Sequence, residues 1–159
     1  MESVTKIENS AFWGCVNLKT IRGYAGSYAE SYAKEYGYIF EDVEGKITTS
    51  YRTHVQSFGW QNPVTNGAMS GTSGEAKRLE AIQIKLYGEM ANHFDVYYRV
   101  HAQSYGWLGW AKNGEEAGTA GLAKRLEGIQ IVLIPKGGAA PANNYKNIQS
   151  VNTKAYIKK

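Results

Sequence analysis

The sequence predicts a mainly β protein with a short α segment: two tandem β-hairpin-based repeats packed as an all-β domain, preceded by a smaller unit that holds the helix. Three observations carry this. The stretch YRTHVQSFGW at 51–60 returns as YRVHAQSYGW at 98–107. Side-chain character within each stretch alternates with a period of two, the signature of a half-buried strand. Glycine (18) and tyrosine (12) are abundant and proline (3) is scarce among the 159 residues, a composition that suits turns and strands.

Residues 1–43 do not match the repeat. Ile7, Ala11, Phe12, Cys15, Leu18 and Ile21 recur there at solenoid-like spacing. Ser27, followed three residues on by Glu30, makes a capping box. Ala29, Tyr32, Ala33 and Tyr36 then supply a helical stripe and Gly37 suits its end, so a helix is expected over 27–36. Tyr38-Ile39-Phe40 reads as a short strand and Glu44-Gly45-Lys46 as a junction.

A shift of 47 residues aligns 51–86 with 98–133 without a gap, so the two segments, about 47–90 and 94–135, are copies of one unit. Tyr51, Thr53 and Val55 alternate with Arg52, His54 and Gln56; Tyr98, Val100 and Ala102 alternate with Arg99, His101 and Gln103. The first parity is expected to face the core, and the Arg-His-Gln parity water or a partner. Asn66-Gly67 and Asn113-Gly114 mark turns, and a second turn follows at Gly71-Thr72 and Gly118-Thr119. Each unit closes on a strand, LEAIQIKL or LEGIQIVL, that puts Ile82, Ile84 and Leu86, or Ile129, Ile131 and Leu133, on one face. Leu79 and Leu126 are out of step with those faces, which predicts a bulge near Ala81 and Gly128. Ser73–Leu79 reads either as loop or as a helical turn. One hairpin cannot bury its apolar face alone, so the two copies are expected to pack together. Residues 136–147 read as a flexible linker, and 148–159 as a closing strand and tail. A three-lobed β arrangement, with the tail as third element, is the less favoured alternative.

The formal charge of +4 is spread along the chain, with acids between the bases. A nucleic-acid binder more often shows a basic stripe, so no nucleic-acid partner is expected. No apolar run reaches the roughly 20 residues of a membrane span, so no membrane insertion is expected. Cys15 is the single cysteine and allows no internal disulfide. The opening MESVTKIENSAFWGC has neither the basic nor the apolar region of a signal peptide. Because it starts inside what reads as a repeat, the chain is expected to be part of a longer exported protein with its export signal upstream.

The candidate chemistry lies on the polar strand faces. Arg52, His54 and Gln56, and Arg99, His101, Gln103 and Tyr105, form two matching rows, each ending near a tryptophan, Trp60 or Trp107. Trp110 has no tryptophan counterpart, since Pro63 stands there in the first copy, and is expected to be the more surface-facing ring. An exposed indole can stack on a sugar ring while Arg, His and Gln bond its hydroxyls; a recurrent indole at a strand end is also commonly a core plug. The histidines read as structural groups bonded to a neighbouring strand or as ligand contacts. Metal ligation would need more donors at suitable spacing, so neither metal nor cofactor is expected. Glu80 and Glu127 suggest a glycosidase pair, but each has the same neighbours in its own copy, whereas an acid and a base need different environments. Pairing with Arg78 and Arg125 is the simpler expectation. No Gly-x-Ser-x-Gly, Walker or His-Glu-x-x-His pattern occurs, and the chain reads as a non-enzyme.

KIENSAFWGCVNLKTI resembles one repeat of the bacterial surface-protein type of leucine-rich repeat, and IRGYAGSYAESYAKEYGYIF resembles the segment that closes such arrays. His54-Val55-Gln56 with Gly59-Trp60, Asn66-Gly67, Gly71-Thr72 and Arg78-Leu79-Glu80-x-Ile82-x-Ile84 resemble the ChW repeat, the clostridial hydrophobic repeat with a conserved tryptophan, and recur as His101-Ala102-Gln103 with Gly106-Trp107, Asn113-Gly114, Gly118-Thr119 and Arg125-Leu126-Glu127-x-Ile129-x-Ile131. These resemblances imply a secreted or cell-surface location. They also imply a non-catalytic binding or adhesion role, recognising polysaccharide or surface protein through the duplicated faces. The alternative is a structural spacer or assembly module with its tryptophans in the core.

Overall fold

The structure, a computed structural model, describes residues 6–24, 27–42 and 48–159. The chain divides into two compact units, Met1–Lys46 and Ile47–Lys159. The junction expected at Glu44-Gly45-Lys46 lies outside the described residues.

The first unit holds strand β1 (Thr20–Gly23), helix α1 (Tyr28–Glu35) and strand β2 (Ile39–Asp42). Ser27 caps the helix, its Oγ accepting from the Glu30 amide at 3.4 Å, and Glu30 pairs with Lys34 one turn on at 2.7 Å. Gly37, at φ +75°, then lets the chain reverse. β1 and β2 lie parallel, Thr20 opposite Ile39. Ile21, Tyr32 and Ala33 are buried, with Ile7, Phe12, Ala29, Tyr38 and Phe40 packed around them. Of the residues at solenoid-like spacing, Ala11 and Cys15 instead face solvent.

The second unit carries both copies. The first runs through β3 (Thr49–Val55), β4 (Gly59–Trp60), β5 (Val64–Thr65) and β6 (Leu79–Leu86). The second runs through β7 (Phe94–Ala102), β8 (Gly106–Trp107), β9 (Ala111–Lys112), β10 (Ala117–Ala120) and β11 (Leu126–Pro135). A short helix, α2 (Gly88–His93), joins them and was not foreseen from the sequence. In each copy a long antiparallel pair, β3–β6 or β7–β11, forms the frame. The Asn-Gly turns sit at positive φ, 50° and 89° in the first copy and 48° and 100° in the second. The asparagine side chains tie the turns back: Asn66 Oδ1 accepts from the Thr48 amide and Asn113 Oδ1 from the Val96 amide, both at 2.9 Å. The predicted bulges are present. Leu79 pairs with Val55 and Ala81 with His54, leaving Glu80 unpaired between them; Glu127 is left in the same way between Leu126 and Gly128.

What joins the copies is β10. It leaves its own hairpin and pairs antiparallel with β6 of the first copy, while β12 (Tyr156–Lys158) lies parallel on its other side. The sheets are therefore β12-β10-β6-β3-β4, with β5 on β3, and β11-β7-β8, with β9 on β7. Between them sits one apolar core of Ile84 and Leu86 from the first copy and Val96, Tyr98, Val100, Ala102, Leu108, Ala111 and Ala117 from the second. Burial raises the Tyr98 hydroxyl to about 12, and it donates to the Glu115 carbonyl.

Several expectations need correction. Residues 136–147 are not a free linker and the closing strand is short. The segment crosses the polar face of the second copy, turns at Tyr145–Asn147, and forms strand only at Tyr156–Lys158. Ser73–Leu79 forms no helical turn but bends into β6. Ile129, Ile131 and Leu133 face solvent, although their counterparts Ile84 and Leu86 are buried. The faces match in sequence, but among the described residues only the first has a second sheet against it and β10 along its edge.

Candidate functional site

The bulge and the hairpin return build the same constellation twice. β4 pairs with β3 so that Trp60 lies opposite His54, and β8 pairs with β7 so that Trp107 lies opposite His101. Each indole thus joins the Arg-His-Gln face. His54 meets Trp60 edge-on at 5.5 Å, and His101 meets Trp107 at 5.7 Å. The arginine two residues before each histidine lies over the indole, Arg52 at 5.0 Å from the Trp60 ring centre and Arg99 at 5.3 Å from Trp107, in cation–π contact. Trp60 and Trp107 are half-buried, neither core plugs nor free rings.

The bulged glutamates complete the constellation. Arg78 Nε donates to Glu80 Oε1 at 2.8 Å, and Glu80 Oε2 lies 3.2 Å from His54 Nδ1. Arg125 Nη2 is 2.8 Å from Glu127 Oε1, and His101 Nδ1 is 3.2 Å from Glu127 Oε2. The arginine pairing expected of both glutamates is present, and each histidine faces the neighbouring strand. Each imidazole Nδ1 is off the line of a good hydrogen bond to its carboxylate. Glu80 is buried where Glu127 is exposed. His54, Gln56, Arg78 and Glu80 line one open groove together with Gly121 and Ala123 of the second copy. Arg52, Pro63, Gln83, Lys85 and Tyr87 line another.

The copies part company at the arginines. In the second, Arg99 is fully buried, and all five of its N–H groups are engaged. Nε donates to Gln130 Oε1 at 2.7 Å; Nη1 donates to the Asn143 carbonyl at 2.8 Å and Ser150 Oγ at 2.6 Å; Nη2 donates to the carbonyls of Tyr145 at 3.3 Å and Ile148 at 2.8 Å. Trp110 lies on the guanidinium at 4.6 Å from its ring centre, and its Nε1 donates to the Ala142 carbonyl at 3.2 Å. Ser150 in turn donates to the Leu108 carbonyl at 2.9 Å. The chain's own tail therefore occupies Arg99 and Trp110 of the second row. Arg99 was expected to face water or a partner and instead faces residues 143–150. Trp110, expected to be the more surface-facing ring, is half-buried beneath them. Burial lowers the Arg99 pKa, yet guanidinium stays charged at any ordinary pH.

In the first copy Arg52 Nε donates to Gln83 Oε1 at 2.5 Å, and Gln83 Nε2 donates to the Gly114 carbonyl at 3.0 Å. Among the described residues, the Nη1 and Nη2 groups of Arg52 have no hydrogen-bond partner. The tail thus fills the guanidinium of the second platform but not that of the first, where its Tyr156 meets Trp60 instead. Gln56 and Gln103 sit at the strand ends, where their backbone amides donate to the carbonyls of Arg78 and Arg125 at 3.0 and 2.9 Å. Tyr105 does not stand in the row. Ser104, at φ 68°, turns the chain and breaks the alternation, and the Tyr105 ring packs against the core. The sequence reading missed Gln83 and Gln130, although a glutamine between two isoleucines at the same place in both copies was the available signal. For Asn143, Tyr145, Ile148 and Ser150 the sequence offers none, because three of the four contribute only a main-chain carbonyl.

Two tandem β units with paired aromatic and basic faces define a repeat-built module. Residues 54–88 and 101–135 each match the family model described as clostridial hydrophobic W, so the chain carries two ChW repeats. No curated protein and no solved structure shows significant similarity to the chain.

Proposed function

We propose that the chain is a non-catalytic cell-surface binding or adhesion module that engages polysaccharide or surface protein through the open row of its first ChW repeat, Arg52, His54, Gln56 and Trp60. The observation that supports this is the unequal use of two like platforms. Arg99 is satisfied by three main-chain carbonyls, a hydroxyl and Gln130 above an indole, whereas Arg52 has the same indole and glutamine and, among the described residues, no hydrogen-bond partner for either terminal nitrogen. The ligand is therefore an extended, oxygen-rich chain that lays hydroxyl or carbonyl oxygens on the guanidinium and an apolar surface on Trp60. In the same proposal the protein acts outside the cell, and residues 4–41 close a leucine-rich array; parallel β1 and β2 with α1 between them in sequence fit that reading.

A polysaccharide pull-down with a glycan array, beside a peptide of sequence 142–151 as the polypeptide probe, tests the site. Arg52→Ala is expected to weaken binding at least about tenfold, the loss of two or more hydrogen bonds to a charged group. Arg99→Ala is expected to leave the Arg52 site functional. Absence of binding to any polymer or peptide, or binding that ignores Arg52→Ala, overturns the proposal. A second reading, spacer or assembly module, is favoured by the second repeat, whose platform serves the fold itself. It expects Trp60 to be as shielded from acrylamide quenching as Trp107.

A further inference from the structure

The first repeat shows how a ChW strand face is covered. Ile84 and Leu86 of β6 are 8% and 5% exposed beneath the β7 sheet, and β10 of the second repeat closes the edge of β6, with Ala117 opposite Ile82 and Gly118 opposite Ala81. The approach is close, since a Cβ on Gly118 would lie 2.4 Å from the Glu80 carbonyl oxygen. Only a glycine at positive φ, here +128°, fits there.

The second repeat presents the same receiving surface uncovered. Ile129, Ile131 and Leu133 are 46%, 54% and 42% exposed, and among the described residues β11 is paired along one edge only, by β7. The first repeat holds the inserting element seated on its own strand, Ser70 Oγ 3.0 Å from Thr53 Oγ1 and the Gly71 amide donating to Gln61 Oε1 at 2.8 Å, but added to no sheet among the described residues. Ser70–Ser73, the counterpart of β10, pairs with no strand among the described residues. Gly71 nevertheless keeps a φ of +117°, close to that of Gly118. An apolar strip on an unpaired strand edge is a template for strand addition.

We propose that a second copy of this chain covers that face. Its Ser70–Ser73 segment adds to the free edge of β11, with Ser70 opposite Ile129 and Gly71 opposite Gly128, and reproduces between chains the joint that β10 makes with β6 within one. Gly128 stands where Ala81 does in the internal joint, so the receiving strand is no bulkier than the one already seen to accept this insertion. The contact is head-to-tail. Each chain keeps one unused half at either end, and association continues to longer assemblies or closes as a ring. The proposal is independent of any ligand at Arg52.

Light scattering and sedimentation of the full chain over rising concentration test it. Mass is expected to grow beyond one chain. Ile131→Lys on the receiving face and Ser70→Lys on the inserting segment are each expected to weaken that growth at least about tenfold, because either puts a charge into the joint. Mixed in equal amounts, the two variants are expected to recover a dimer and nothing larger, since each retains one intact half. Circular dichroism checks the folding of each variant, and Leu133→Lys and Thr72→Lys replace any that fails. A wild-type chain that stays single at every concentration, association that survives both substitutions, or a mixture that fails to recover the dimer overturns the proposal.

Discussion

At the residue scale, the two arginines separate chemistry from its use. Arg52 and Arg99 occupy one position of one repeat, over one indole, beside one glutamine. Arg99 is nonetheless a structural residue, and its loss removes the four hydrogen bonds it makes to residues 143–150 and the one to Gln130. Arg99→Ala is expected to cost about 3 kcal/mol in urea denaturation and to open residues 136–155 to limited proteolysis, whereas Arg52→Ala costs less than about 1 kcal/mol. Arg99→Lys does not rescue, because an ammonium cannot supply five donors in a fixed plane. Gly109 is the second such residue. A Cβ there would lie 2.1 Å from the Thr153 carbonyl oxygen, and its counterpart in the first repeat is Asn62. Gly109→Ala is expected to dislodge the tail at a cost of about 2 kcal/mol or more, read as a lowered melting temperature.

At the element scale, the tail is held at its exit as well as at its crossing. Asp95, at the start of β7, accepts from Asn113 Nδ2 at 2.7 Å and from the Gly137 amide at 3.1 Å, and pairs with Lys112 and Lys136, each at 2.9 Å. The Asn113 hydrogen bond, then the two lysines and the Gly137 amide, hold its carboxyl well below the usual carboxylate range. A depressed folded pKa contributes stability that is present above the unfolded value and lost as pH falls. The chain is therefore expected to lose stability as pH drops below about 4, and Asp95→Asn to flatten that dependence while lowering stability at neutral pH. Denaturant midpoints at pH 7 and pH 3 for both proteins check it. In the first repeat Thr48 stands at this position, so the staple belongs to the repeat that carries the tail.

At the scale of the whole molecule, the two repeats share one core. The shared core draws residues from both, and Leu108 is fully buried at its centre with Gln61 as counterpart in the first repeat. Leu108→Ala is expected to cost about 2–5 kcal/mol and to unfold both repeats in one transition, measured by thermal denaturation with two probes. A transition that splits in two would contradict a common core. Local signals were legible in the sequence for local reasons. Period-two alternation marked β3 and β7, Asn-Gly marked the turns, the out-of-step leucines marked the bulges at Glu80 and Glu127, and Ser27 with Glu30 marked the start of α1. Each depends on residues a few positions apart. The partnership of the rows was not legible. Alternation says that Arg99 points away from the β7 core face, but not that residues 143–150 return to meet it, because carbonyl oxygens are common to every residue type. The 47-residue repeat by itself determined the two long strands of each copy, the Asn-Gly turns and the bulges, since each of these depends on residues a few positions apart. Only the tertiary structure decided that β10 crosses to the first repeat, that one arginine is capped and the other open, and that one isoleucine face is buried and its twin bare. Two like units in one chain have unlike neighbours, and burial is a property of neighbours.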